Sequence, residues 1–136
     1  MSIMTSAIKI IFGDKPAKDR KLIWPIVDQI NEFQKSLESL SDQGLKDRYA
    51  ELKNDLSDLI KIKKNEFETS KVDLEEIDEK LNEIESNFLD ENLIEVFAIV
   101  KESAKRLVGS SFALMGQPMI WDMIHYDVQL MGGIVL

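Results

Sequence analysis

The residues with chemistry to offer gather near one end of the sequence, where His125, Asp127, Gln129 and the pair Gly132-Gly133 follow one another closely. A glutamine amide carries donors and an acceptor on one planar group, so it can pair with a base edge or close a helix start. From its own surroundings Gln129 reads as a capping residue. His125 is the single histidine, and alone it lacks the partners of a zinc site or a nucleophilic triad. It is expected to pack at a segment edge without doing chemistry. Gly132-Gly133 could imitate a phosphate loop, but no G-K-[ST] follows, and close helix packing accounts for the pair better. With no cysteine, disulfides and thiolate chemistry are excluded. No catalytic residue and no metal ligand is expected in the chain.

Apolar periodicity supplies the elements that must place these groups. Ile3, Ala7, Ile8, Ile11 and Phe12 share one face of a short amphipathic helix ending at Gly13, and a charged connector from Asp14 to Lys21, containing Pro16, follows. A second helix is expected from about Asp19 to Leu40, with Leu22, Ile26, Ile30, Phe33, Leu37 and Leu40 inward. Pro25 suggests that its regular part begins nearer Trp24, after a kink or turn. Ser41 is a good N-cap for a third helix, whose stripe is Leu45, Tyr49, Leu52, Leu56 and Leu59. Leu74, Ile77, Leu81, Ile84 and Phe88 then alternate spacings of three and four through an acidic stretch, which is a heptad seam. One helix ending near Phe67 and one starting near Asp73 would form a projecting antiparallel hairpin there, with no catalytic duty.

A further helix is expected from about Asp90 to Val108, with Leu93, Val96, Phe97, Val100, Ala104 and Leu107 inward, Lys101, Lys105 and Arg106 outward, and Gly109 as its stop. Ser110 to Trp121 reads as two extended pieces interrupted by a turn at Gly116-Gln117-Pro118. Asp127 could cap a final buried helix over Val128 to Leu136.

A chain of 136 residues has room for one modest core, and 44% apolar with 31% charged residues is the balance of a soluble, helix-rich protein. The net charge of −8 is unevenly spread, since residues 1–24 hold Lys9, Lys15, Lys18, Arg20 and Lys21 against only Asp14 and Asp19. The acidic body repels phosphates, so nucleic acid is not an expected partner. The leading end suits an anionic membrane surface, with Ile3, Ile8, Ile11 and Phe12 as apolar contacts and Lys15, Lys18, Arg20 and Lys21 as basic ones. It is too short to span a bilayer and lacks the basic start and A-x-A-like end of a signal peptide, so it is expected to stay on the mature protein.

Four blocks of residues resemble the SecA motor ATPases of the general secretory pathway. Ile10-Ile11-Phe12-Gly13 resembles the end of that family's first helix, and Pro25-Ile26-Val27-Asp28-Gln29-Ile30-Asn31 followed by Leu40-Ser41-Asp42 resembles its second block. Residues Glu95 to Arg106 are similar to its E-A-F-A-V-V-R-E-A-x-R-R helix. The most specific block runs from His125 to Leu136, similar to H-[FY]-D-V-Q-L-x-G-G-x-V-L. Roughly residues 57–90 and 110–121 fall outside the blocks, as insertions.

The resemblance implies a mainly α fold class: a helical N-terminal segment with a projecting coiled-coil-like hairpin, then the opening edge of an α/β P-loop, helicase-like nucleotide-binding domain. The implied parts are an amphipathic helix over 1–13, a helical region over 14–56, an inserted hairpin over 57–90 and the start of the first nucleotide-binding domain over 91–136. It further implies an ATP- and Mg²⁺-using preprotein translocase, cytoplasmic and peripheral on the cytoplasmic face of the inner membrane. The SecYEG channel, preproteins and acidic phospholipids would be its partners, and a homodimer is compatible with it. Gln129 matches the glutamine that reads adenine, and Tyr126 and Met123 match positions that pack against the base, while Ile124 stands where arginine is frequent. A strand and a G-E-G-K-T loop are expected to follow Leu136, so the chain is expected to be an N-terminal fragment, inactive alone and without bound nucleotide. The rival reading is a free-standing acidic helical adaptor that binds partner helices.

Overall fold

The computed structural model describes residues 16–70 and 73–136. The leading helix expected over residues 3–12 lies outside them. Helix α1 (Pro16–Leu37) already occupies most of the expected connector and runs through Pro25 without ending there. An interior proline costs about 3 kcal/mol through its missing N–H and its ring. Here that loss is offset on the opposite side, where Ile23, Val27, Ile30 and Leu37 are buried while Pro25 stays in water. The buried stripe is therefore shifted from the expected one, and Leu22 and Leu40 are exposed.

Ser41 caps helix α2 (Asp42–Thr69) as expected, its Oγ accepting the Gly44 N–H at 3.0 Å. Helix α3 (Leu74–Leu107) is one unbroken helix, where two had been expected to meet near Asp90. Nothing in the sequence there breaks a helix, and the change from solvated seam to core occurs by a change of neighbours alone. Contacts between Asp42 and Arg106, Arg48 and Glu95, and Phe67 and Lys80 show that α2 and α3 run antiparallel. Asn31 meets Lys101 and Gln34 meets Glu102, so α1 lies parallel to α3.

Strands β1 (Ser111–Leu114) and β2 (Gln117–Ile120) form an antiparallel hairpin in which Ser111 faces Ile120 and Leu114 faces Gln117. Its turn is Met115-Gly116, one residue earlier than the glycine-proline cluster suggested, and both residues have positive φ as a type I′ turn requires. Helix α4 (Asp127–Val135) then packs against α1.

The core joins Ile23, Val27, Ile30 and Leu37 of α1, Leu45 and Leu52 of α2, Ala98 and Ile99 of α3, and Leu130 and Ile134 of α4. The valine, leucine and isoleucine side chains among them contribute about 1.5–3 kcal/mol each when fully buried. Because α3 touches α1 and α2 on different sides, its buried arc is broader than a single stripe. Ala98 and Ile99 are inside, while Val100 and Leu107, expected inward, are about half exposed.

Candidate functional site

The first turn of α4 is built by reciprocal bonds between Tyr126 and Gln129. The Tyr126 N–H donates to Gln129 Oε1 at 2.9 Å, and the Gln129 N–H donates to the Tyr126 carbonyl at 2.9 Å. Tyr126 is thus the N-cap residue, with extended backbone, and Asp127 is the first helical residue instead of the cap expected from sequence. A carboxylate there still suits the positive end of the helix dipole.

Asp127 is also tied sideways. Asn31 Nδ2 donates to its Oδ1 at 3.0 Å, and Lys101 Nζ donates to Asn31 Oδ1 at 2.5 Å while standing 3.6 Å from Asp127. Lys101 was expected outward, yet its side chain is only 13% exposed because α1 and α4 cover it. Sequence reasoning missed Asn31, whose signal is its place beside Val27, Ile30 and Gln34 on the buried face of α1.

On its underside α4 buries Leu130 and Ile134. A Cβ at Gly133 would lie 3.0 Å from the Phe97 ring, so this glycine permits a close approach, whereas Gly132 faces open space. The expectation of close packing holds for one glycine of the pair. Leading into the helix, the Trp121 indole N–H donates to the Met123 carbonyl at 2.8 Å. Trp121 also exchanges backbone bonds with Gly109 and Ser110, which closes the hairpin onto the end of α3.

Of the three residues matched to adenine recognition, Tyr126 is 72% and Met123 50% exposed, and Gln129 is exposed beside Tyr126. Hydrogen bonds join Gln129 to Tyr126 but not Met123 to either. Of the residues matched to membrane contact, Ile3, Ile8, Ile11, Phe12 and Lys15 lie outside the described residues, Lys18 and Arg20 fall in the first turns of α1, and Lys21 is exposed. No helix among the described residues is long and apolar enough to cross a membrane.

His125 lines a cavity of about 550 Å³ between α2 and α3, together with Leu45, Tyr49, Val100, Leu107 and Trp121. Its Nδ1 is buried and has no hydrogen-bond partner among the described residues. Beside this cavity Arg106 gathers three elements, donating to Glu102 at 2.8 Å, to Asp42 at 2.9 Å and to the Leu37 carbonyl at 3.0 Å. Burial pushes the Glu102 carboxyl upward, but hydrogen bonds from Arg106 and Gln34 and the neighbouring positive charges outweigh it and hold the group below the ordinary carboxylate value.

A family model described as the SecA DEAD-like domain matches residues 8–136. Among curated relatives, the protein translocase subunit SecA of Chloroherpeton thalassium is 44% identical over 98% of this chain. The corresponding subunit of Chlorobaculum tepidum is 40% identical over 98% of the chain, and that of Prosthecochloris aestuarii 40% identical over 93%. The chain spans 14% of the length of each of these relatives. No solved structure matches it.

Proposed function

The chain belongs to the SecA family, and we propose that it supplies the adenine-reading corner of an ATP-driven protein translocase. The observation that carries this reading is the Gln129 amide, exposed to solvent yet held in one orientation by the Tyr126 N–H at 2.9 Å. That bond uses one lone pair of Oε1. The other lone pair and the Nε2 hydrogens remain, which is the set needed to accept from adenine N6–H₂ and donate to N7. The exposed Tyr126 ring and Met123 side chain offer apolar surface beside the base. Phosphates and Mg²⁺ require a loop of the G-K-[ST] kind, which this sequence does not contain, so the chain by itself binds ATP weakly. In the whole translocase the partners would be a membrane channel and preproteins, and residues 57–90 would project from the motor as a helical arm.

The test is equilibrium titration of ATP and GTP into a subunit of the relatives' length carrying this segment. Gln129→Ala removes both the base contact and the capping bond, whereas Gln129→Glu keeps an acceptor for the Tyr126 N–H and removes only the amide donors. Each is expected to lower the preference for ATP by about tenfold to a hundredfold, as the loss of a bidentate base contact should. An unchanged preference in Gln129→Glu would leave Gln129 as a helix cap alone.

A further inference from the structure

A glutamine on the first turn of a helix can discriminate between bases only if the helix start is fixed relative to the rest of the fold. Residue 129 is exposed, and nothing but the Tyr126 N–H holds its side chain among the described residues. The position of that turn is set instead by Asp127, which faces the other way, into α1 and α3. There the bonds run in series: Lys101 donates to Asn31, and Asn31 donates to Asp127. An amide can accept from a cation through its oxygen and donate to a carboxylate through its nitrogen at once, so Asn31 converts two charged groups 3.6 Å apart into a hydrogen-bonded chain with fixed direction.

The three residues come from three helices: α1, α3 and α4. Their partial burial makes the chain worth more than a surface ion pair, because water competes poorly for it. Lys101 is anchored on a helix whose neighbouring residues Ala98, Ile99 and Glu102 are all buried, and Asn31 adjoins the fully buried Ile30. The clamp therefore stands on the buried part of the fold and reaches out to the first turn of a short helix.

We infer that Asn31 and Lys101 are positioning residues for nucleotide selection, acting through Asp127 on the turn that carries Gln129. This rests on the adenine-reading role given to Gln129 above. Neither residue need touch nucleotide.

The experiment compares Asn31→Asp, Lys101→Met, Lys101→Arg and the double variant Asn31→Asp with Asp127→Asn, in a subunit of the relatives' length carrying this segment. Asn31→Asp sets two carboxylates against each other and removes the donor to Asp127. The double variant restores a donor and an acceptor at every link, with the carboxylate and the amide exchanged. The ATP-over-GTP preference is measured by equilibrium titration, and the protection of the Tyr126 and Leu130 amides by hydrogen exchange without nucleotide.

Asn31→Asp and Lys101→Met are expected to lower the preference by roughly threefold to tenfold and to speed exchange at both amides, in line with couplings between contacting residues. Lys101→Arg keeps the charge and a donor, and it should retain the preference. The double variant should recover most of it, because each link again has a donor and an acceptor. If Gln129→Glu lowers the preference while Asn31→Asp does not, or if the double variant is no better than the single one, this inference is overturned while the adenine reading stands. If Gln129→Glu has no effect, the adenine reading falls first and takes the selection role of Asn31 and Lys101 with it.

Discussion

Glu102 shows how a single charge can hold the helix ends together. It is 3% exposed, and it accepts from Gln34 at 2.7 Å and from Arg106 at 2.8 Å. Its carboxyl is held below the ordinary value in the folded chain. A depressed folded value means that the stabilisation is fully present above the unfolded value, near 4.3, and is lost as pH falls through the folded one. Glu102→Gln should therefore be less stable than wild type at pH 7 by about 1–3 kcal/mol, the scale of a buried charged hydrogen bond. The gap should narrow only as pH falls below the ordinary carboxylate range and through the lower folded value, where the wild-type carboxyl is protonated as well. Thermal melts at a series of pH values would show it, and a gap independent of pH would contradict the assignment. At this scale the sequence was legible where a side chain answers to its own backbone, as at Ser41 capping Gly44. It was not legible where a polar group is paired across helices. Nothing local tells Lys101 to turn inward; its partner Asn31 lies 70 residues away.

Among the elements, α3 departs most from the pattern of its residues. Its first half carries a seam in which Ile77 is buried and Leu81, Ile84 and Phe88 are half-buried, and its second half carries the core residues Ala98 and Ile99. Among the described residues of 57–90, none belongs to the main core cluster. Ion pairs there, such as Lys63 with Glu66 and Lys80 with Glu76, are exposed and worth about 0–1 kcal/mol each. Replacing residues 57–90 by a short glycine-rich turn between Leu56 and Glu91 should thus leave the remaining helices folded. Far-UV circular dichroism should fall only by the helix removed, and melting should stay cooperative; a melt without cooperativity would place the segment in the core. Helix existence was legible from periodicity throughout the described residues. The joint expected at Asp90 was not real because a change of periodic phase marks a change of neighbours, not a break in the backbone. Pro25 misled for a related reason, since burial of the opposite face offsets a local penalty.

On the scale of the whole molecule, α1 and α3 hold one short turn, Tyr126 to Gln129, through Asn31 and Lys101, and the turn exposes Tyr126 and Gln129 to solvent. The mainly helical architecture was legible in the sequence, as was the family to which the chain belongs. The phase of α1 and the cavity beside His125 were not, because they depend on how three helices rotate against one another to bury Gln34 and Glu102 along with the apolar residues. If this chain serves a protein translocase as proposed, it should be able to replace the matching 14% of a relative. The most direct measurement is ATP turnover by the Chloroherpeton thalassium subunit with its matching segment replaced by this chain, with the parent as control. The chimera is expected to hydrolyse ATP within about tenfold of the parent, a change of about 1.4 kcal/mol or less in the barrier, and to lose most of its preference over GTP when Gln129→Glu is added. A folded chimera that binds no ATP while the parent does, or one whose preference is untouched by Gln129→Glu, would contradict it.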